Sequence, residues 1–249
     1  MKNVIIIPAR YKSSRFPGKP LAKILGKEMI LRVIETCNRV IDKSRIFVAT
    51  DNNNIKKIVE KNNFNVVMTS SNCLTGTDRV AEANNKIKSR IVINVQGDEP
   101  LIKPTDIKKI ILAKSKFPYH VVCGFTNISN EEDEANINLP KVVLNQKSEL
   151  VYMSRSPVPG KKNNKKKINY YKQVCVYAFN KQQLSKFKKF GKKSNLEKIE
   201  DIEILRFFEL GIPIKMINLS ESSVAVDVKT DIKKVEKYLQ NEKKKLSYF

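Results

Sequence analysis

Between residues 4 and 125 the chain repeats one pattern: a short apolar run, a polar turn, then an amphipathic segment with helical spacing. VIIIPA (4–9) leads to residues 28–40, where Ile30, Val33, Ile34 and Cys37 share one face. RIFVAT (45–50) leads to NIKKIVEK (54–61), with Ile55, Ile58 and Val59 on one face. NVVMT (65–69) precedes a helix through about residue 88, which Thr77-Asp78 is placed to cap. RIVINV (90–95) precedes IKKIILAKSK, opened by Pro104-Thr105-Asp106. This rhythm predicts an α/β fold, a mostly parallel sheet with helices on both faces.

The rhythm breaks after HVVCGF (120–125). NEEDEANINLP (130–140) reads as a loop or short helix, KVVLN and ELVYMSR as a hairpin pair, and VCVYAF (174–179) as a strand. SNLEKIEDIEILRFFELG (194–211) reads as one helix, begun by the capping box Ser194-x-x-Glu197 and stopped at Gly211. IPIKMINL and SVAVDV read as strands, the second returning to the main sheet near 224–227, and Thr230-Asp231 starts a last helix. The second half is expected to be an antiparallel elaboration on the same sheet.

With 249 residues, 41% of them hydrophobic, the chain can bury a core of its own. No apolar run reaches the roughly 18–20 residues of a membrane helix. MKNVIIIPAR lacks the form of a signal peptide, so a cytoplasmic protein is expected. Cys37, Cys73, Cys123 and Cys175 lie tens of residues apart without a CxxC pair, which excludes the usual zinc and redox spacings. The single histidine, His120, reads as structural and leaves no material for a histidine triad or a histidine-rich metal site. The net charge of +23 suggests a nucleic-acid partner. However, lysine and asparagine are spread over plain helix faces, and the densest run, GKKNNKKK (160–167), holds no aromatic residue to stack on bases. That run reads as a solvated loop, and no stable nucleic-acid partner is expected.

The most informative segment follows the first strand. Residues 10–20, RYKSSRFPGKP, carry Arg10, Lys12, Arg15 and Lys19 with a Pro-Gly pair and two serines. In open parallel sheets ligands bind beyond the carboxyl ends of the strands. Cations and free backbone N–H groups at such a place suit a polyphosphate. The loop is not a Walker A loop, because Ser13 and Pro20 stand where that motif needs Gly and Ser/Thr. GxGxxG occurs nowhere in the chain. Lys12 and Arg15 read equally well as solvated charges, whereas Arg10 at the strand exit and Lys19 after Gly18 read as functional.

IIIPARYKSSRFPGKPL resembles the opening signature of the sugar-acid cytidylyltransferases, above all the 3-deoxy-D-manno-octulosonate (Kdo) cytidylyltransferases, or CMP-Kdo synthetases. The similarity continues through TGTDRVAEA (75–83), NVQGDEPLI (94–102), KVVL (141–144), MSR (153–155), VYAF (176–179), the helix at 196–200 and VDVKTD (226–231), in order along nearly the whole chain. The resemblance implies a Rossmann-like, glycosyltransferase-A-like nucleotidyltransferase sheet in one domain, 1–249. Within it, 1–125 would form the CTP-binding half, 126–215 a sugar-binding and dimerising elaboration, and 216–249 the return to the sheet and the C-terminal helix. It implies transfer of CMP from CTP to the anomeric 2-hydroxyl of a 2-keto-3-deoxy sugar acid with release of pyrophosphate, for lipopolysaccharide or capsule synthesis, by a homodimer.

By the same resemblance, Pro8, Ala9, Arg10, Ser13, Arg15, Lys19, Thr77, Asp78, Arg79, Gln96, Gly97 and Asp98 meet the nucleotide. Gln96, Arg155, Gln173, Tyr177 and Glu203 meet the sugar acid. Thr77-Asp78 also reads as an ordinary helix cap, and Glu203 equally as a solvated helix residue. Asp98 and Asp227, each following a strand and facing the cationic loop, suit Mg²⁺, a cation that takes few protein oxygens and fills its shell with water and phosphate. The resemblance implies that both are its ligands. Arg10, Lys19, Asp98 and Asp227 are then the catalytic set, with no protein base required. Two places depart from the family pattern: Gln173 stands where a histidine is usual, and Glu203-Ile204 where Glu-Gln is usual. Both point to an acceptor that is Kdo or a close variant, such as one modified at its terminal carbon. The competing readings are a nucleotidyltransferase for another sugar and a basic nucleic-acid-binding module.

Overall fold

The computed structural model describes residues 3–12, 15–162, 168–221 and 225–246. Its strands and helices alternate as far as β7. They are β1 (Asn3–Ala9), the short hairpin β2 (Lys23–Ile24) and β3 (Lys27–Glu28), α1 (Met29–Asn38), β4 (Ile46–Thr50), α2 (Asn53–Lys61), β5 (Asn65–Met68), α3 (Gly76–Ile87), β6 (Ile91–Val95), α4 (Pro104–Lys116) and β7 (Val121–Asn127). β8 (Lys141–Leu144), β9 (Leu150–Ser154), β10 (Tyr171–Asn180), α5 (Lys181–Lys189), α6 (Asn195–Glu200), α7 (Leu205–Glu209), β11 (Ile214–Asn218) and α8 (Lys229–Leu246) complete the chain.

The main sheet runs β11-β7-β10-β6-β1-β4-β5. β1 lies parallel between β4 and β6, with Ile5 opposite both Ile46 and Ile93. Such a centre strand has no solvated face, which is why VIIIPA is apolar throughout. β10 enters between β6 and β7 and is antiparallel to both. β8 and β9 form the expected antiparallel hairpin, attached through β8 to the start of β10.

Two apolar layers cover the faces. On one, α1, α2 and α4 pack Ile34, Ile55 and Ile107 against Ile5, Ile7 and Ile93. On the other, α3, α5 and α7 pack Val80, Phe187 and Phe207 against Val4, Ile6 and Phe179. A third, smaller cluster joins α8 to the first loop and the β2–β3 hairpin through Val235, Phe16, Ile24 and Met29.

Three local expectations are corrected. The single helix over 194–211 is two: Asp201 adopts a left-handed φ of 49° and ends α6, although Ser194 and Glu197 do form the capping box. The α3 cap is Thr75, whose side chain accepts from Asp78 N, and Thr77 is buried inside the first turn. SVAVDV is not a strand in its described part: Ser222–Val224 lie outside the described residues, and Ala225–Val228 pair with no strand. The chain returns to the sheet through β11, parallel to β7.

Candidate active site

A cleft of about 2090 Å³ opens along the carboxyl ends of β1 and β6. Pro8, Ala9 and Arg10 come from the end of β1, and Gln96, Gly97 and Asp98 from the turn after β6. Arg15 and Lys19 reach it from the first loop, Asp227 from the segment before α8, and Gln173 and Tyr177 from β10.

The first loop is folded by its punctuation residues. Gly18 takes a φ of 71°, a conformation that costs other residues, and its N–H reaches Tyr11 O at 2.9 Å. Pro20 then opens a tight 3-10 turn over Lys19–Leu21. This sends Lys19 inward. Its ammonium donates to Asp98 Oδ2 at 2.6 Å and Val226 O at 2.8 Å, and lies 3.9 Å from Asp227 Oδ1. Arg15 donates to Asp227 Oδ1 and to Asn138 Oδ1, each at 3.0 Å. Two carboxylates 129 sequence positions apart thus meet on one ammonium. The backbone secures the meeting, since Val226 N donates to Asp98 O at 2.9 Å. Asp231 Oδ2 accepts from both Asp227 N and Val228 N, as expected of a residue serving the start of α8. Arg10 is exposed in the cleft and has no hydrogen bond or ion pair among the described residues. Ser13 lies outside the described residues.

Of the TGTDR run, the structure brings Thr75, Gly76 and Arg79 to the cleft but not Thr77 or Asp78. The wall is tight at Gly76: a Cβ there would stand 2.9 Å from Gln96 Nε2. Thr77 N donates to Glu203 Oε2 at 2.9 Å. Asp78 accepts two bonds from Arg206, at 2.8 and 3.1 Å. The Arg79 guanidinium is buried, donating to Thr69 Oγ1 at 2.5 Å and Asp51 Oδ2 at 3.2 Å. Thr77 and Asp78 therefore hold the wall from behind. Arg206, which sequence reasoning missed, anchors them. Its only signal was a cation inside the apolar run ILRFFEL.

At the far end, Gln96 Nε2 donates to Glu203 Oε1 at 2.8 Å, and Gln173 Nε2 to Tyr177 OH at 3.2 Å. Glu203 is no solvated helix residue. It sits between α6 and α7, and burial pushes its carboxyl above the ordinary range despite the Thr77 N–H. Burial also raises the Tyr177 hydroxyl. Two expectations fare differently. Arg155 lines the cleft, but its guanidinium is spent on backbone oxygens, those of Glu200, Ile137 (2.6 Å) and Asp201 (3.0 Å). Ile204 does not line the cleft at all; it is fully buried in the core beside Phe207. His120, outside the cleft, meets Glu149 Oε1 at 3.3 Å, a structural role as expected.

This arrangement has known counterparts. Residues 4–217 match the family model described as Cytidylyltransferase. The 3-deoxy-manno-octulosonate cytidylyltransferase of Escherichia coli is 34% identical over 241 residues, spanning 97% of each chain. The 8-amino-3,8-dideoxy-manno-octulosonate cytidylyltransferase of Shewanella baltica (strain OS195) is 37% identical over 96% of this chain and 99% of that one. A solved CMP:2-keto-3-deoxy-manno-octonic acid synthetase complexed with CTP superposes with a TM-score of 0.89 at 35% identity, covering 97% of this chain and all of that one. A sheet of the same build, whole-chain similarity and a cleft assembled from the shared segments agree: the chain belongs to the cytidylyltransferase family, in the branch that holds the 3-deoxy-manno-octulosonate enzymes.

Proposed function

We propose that this protein transfers CMP from CTP to the anomeric 2-hydroxyl of 3-deoxy-manno-octulosonate or a close variant, releasing pyrophosphate with the help of Mg²⁺. The observation that carries the reading is the meeting of Asp98 and Asp227 on Lys19, beside Arg15, in a chain 35% identical to a CTP-bound synthetase.

The obstacle to the reaction is charge, because a triphosphate and a sugar carboxylate must be brought together. Arg15 and Lys19 counter that charge on the phosphates and on the departing pyrophosphate. The backbone turn at Gln96–Asp98 and the Thr75–Gly76 wall fix the nucleotide, so that the hydroxyl reaches the α-phosphorus in line with the leaving group. Gln96, Gln173, Tyr177 and Glu203 form the polar end that reads the sugar hydroxyls. With Arg155 spent on carbonyl oxygens, Arg10, a guanidinium with no ion pair among the described residues, is the cation proposed for the sugar carboxylate. Asp98 and Asp227 would hold the metal. Lys19 already places a cation between them, and one oxygen of each carboxylate receives nothing from the described residues. Two carboxylates suit Mg²⁺, and no group of three or more His, Cys, Asp or Glu forms a metal cluster among the described residues. When bound, Mg²⁺ supplies charge neutralisation at the phosphates and lowers the pKa of the attacking hydroxyl. No imidazole is available as base, since His120 is engaged outside the cleft. A homodimer joined through the 130–170 region, working in the cytoplasm, completes the proposal.

The test is pyrophosphate release from CTP, UTP, GTP or ATP with a panel of sugar acids. Turnover with CTP and an eight-carbon acid is expected. Neuraminate-type acids turning over far faster than any eight-carbon acid, or indifference to the base, would overturn the reading.

A further inference from the structure

The last helix carries the next inference, which rests on the proposed use of CTP. Along α8, Thr230, Lys234, Lys237 and Asn241 lie at steps of four, three and four residues, one stripe of a helix. All four line the cleft. The opposite stripe, Ile232, Val235 and Leu239, packs with Phe16 of the first loop, Ile24 of the hairpin and Met29 at the start of α1. Leu25 N adds a bond to Glu236 Oε1 at 2.8 Å. The helix is thus seated on the loop that carries Arg15 and Lys19, with a polar, cationic face turned to the same cleft. It begins two residues after Asp227, beside the carboxylates that Arg15 and Lys19 hold. Asp231, the acid on this face, has one oxygen committed to the Asp227 and Val228 N–H groups and the other 3.4 Å from Lys234. Lys234 is 72% exposed, on a long stem able to turn into the cleft.

We propose that Lys234 and Lys237 are anion-binding residues for the outer phosphates of the nucleoside triphosphate and for the pyrophosphate that leaves. Arg15 and Lys19 grip the chain near the carboxylates, and the α8 lysines meet its distal end. The contribution is electrostatic and solvated, so it acts on the β- and γ-phosphates and fades with salt over a Debye length of roughly 8 Å at physiological ionic strength.

The experiment compares the intact chain with the Lys234→Gln/Lys237→Gln double variant by titration calorimetry with CTP, CMP and inorganic triphosphate, at low and high salt. Lys233→Gln, an exposed lysine of the same helix that does not line the cleft, controls for net charge. The double variant is expected to bind CTP and triphosphate about five- to tenfold more weakly at low salt, as exposed charge pairs allow. CMP should bind unchanged, and inhibition by pyrophosphate should weaken in step. Unchanged CTP affinity, equal losses for CTP and CMP, or an equal loss in Lys233→Gln would each overturn the inference. Triphosphate binding that depends on the two lysines in a protein that turns over no sugar acid would sustain it while removing the proposed reaction.

Discussion

Replacing Arg206 by methionine is the sharpest test of how the cleft wall is held. The guanidinium is fully buried and all of its N–H groups are engaged. Its Nε and one terminal nitrogen each donate to Glu197 at 2.6 Å, and both terminal nitrogens donate to Asp78. It also stacks 3.7 Å over the Phe187 ring. Methionine fills most of the volume and keeps the aromatic contact, so the loss isolates the charge. It leaves Glu197, which is 0% exposed, and the mostly buried Asp78 without their cation. Breaking such a buried pair costs about 3–5 kcal/mol, a large part of the ~5–15 kcal/mol that holds a domain together. At roughly 2–4 °C per kcal/mol for a chain of this size, the melting temperature should fall by about 6–20 °C. Thermal unfolding followed by circular dichroism measures that shift, and urea unfolding measures the free-energy loss. Adding Glu197→Gln and Asp78→Asn should recover part of the loss, since neutral amides are far less costly to bury than lone carboxylates. A single-variant loss under about 1 kcal/mol would refute the reasoning, as would a triple variant no better than the single one.

Other expectations are briefer. Asp98→Asn should lower turnover by at least ~10²-fold while leaving CTP bound, as measured by single-turnover kinetics and calorimetry. Glu203 has its carboxyl raised from the ordinary 4.5 by burial. Its contribution is therefore present below pH 4.5 and lost as pH rises through the folded value, so Glu203→Gln should gain stability relative to the native chain as pH climbs from 4 to 7, seen as a converging or crossing pair of melting curves. Of the four thiols, Cys37, Cys123 and Cys175 are pushed far up by burial, whereas Cys73, which lines the cleft, is pushed up only to about 11. A disulfide reagent should label Cys73 first and slowly, and CTP should slow it further.

How much of this was legible in the sequence depends on where the determining partner lies. The β-α alternation was legible because each strand and helix declares itself within a dozen residues. The turn of the loop at 10–20 was legible too, since Tyr11, Gly18 and Pro20 set it locally, whereas the distant partners of its cations were not. β10 was visible as a strand but not as the antiparallel insert between β6 and β7. Its run VCVYAF is equally apolar in either direction, and its partners are some 50 to 90 positions away. The break in the 194–211 helix is likewise tertiary. Its residues favour helix throughout, yet Glu203 must turn out of line to accept from Thr77 N and Gln96. Arg155 shows the same limit from the other side. A sequence displays a donor, whereas only the fold supplies the three carbonyl oxygens that use it up.

The charges of the cleft follow a related logic. Lys19 is matched to Asp98 and Arg15 to Asp227, so the acidic and basic groups that would handle opposite parts of the reaction already neutralise one another. A polyphosphate that drew Lys19 and Arg15 to itself would leave the two carboxylates facing each other and the phosphates, a repulsive arrangement in a half-buried site. A divalent cation taken alone would compete with Lys19 for the same space. A cation and a polyphosphate arriving together would satisfy every partner, the carboxylates on the proposed metal and the basic groups on the phosphates. Asp98→Asn loosens that coupling from one side by sparing part of the repulsion. On this argument the basic loop after the first strand would be more than a phosphate trap, because the pairs it forms with distant aspartates would couple the binding of nucleotide and of the proposed metal, each favouring the other.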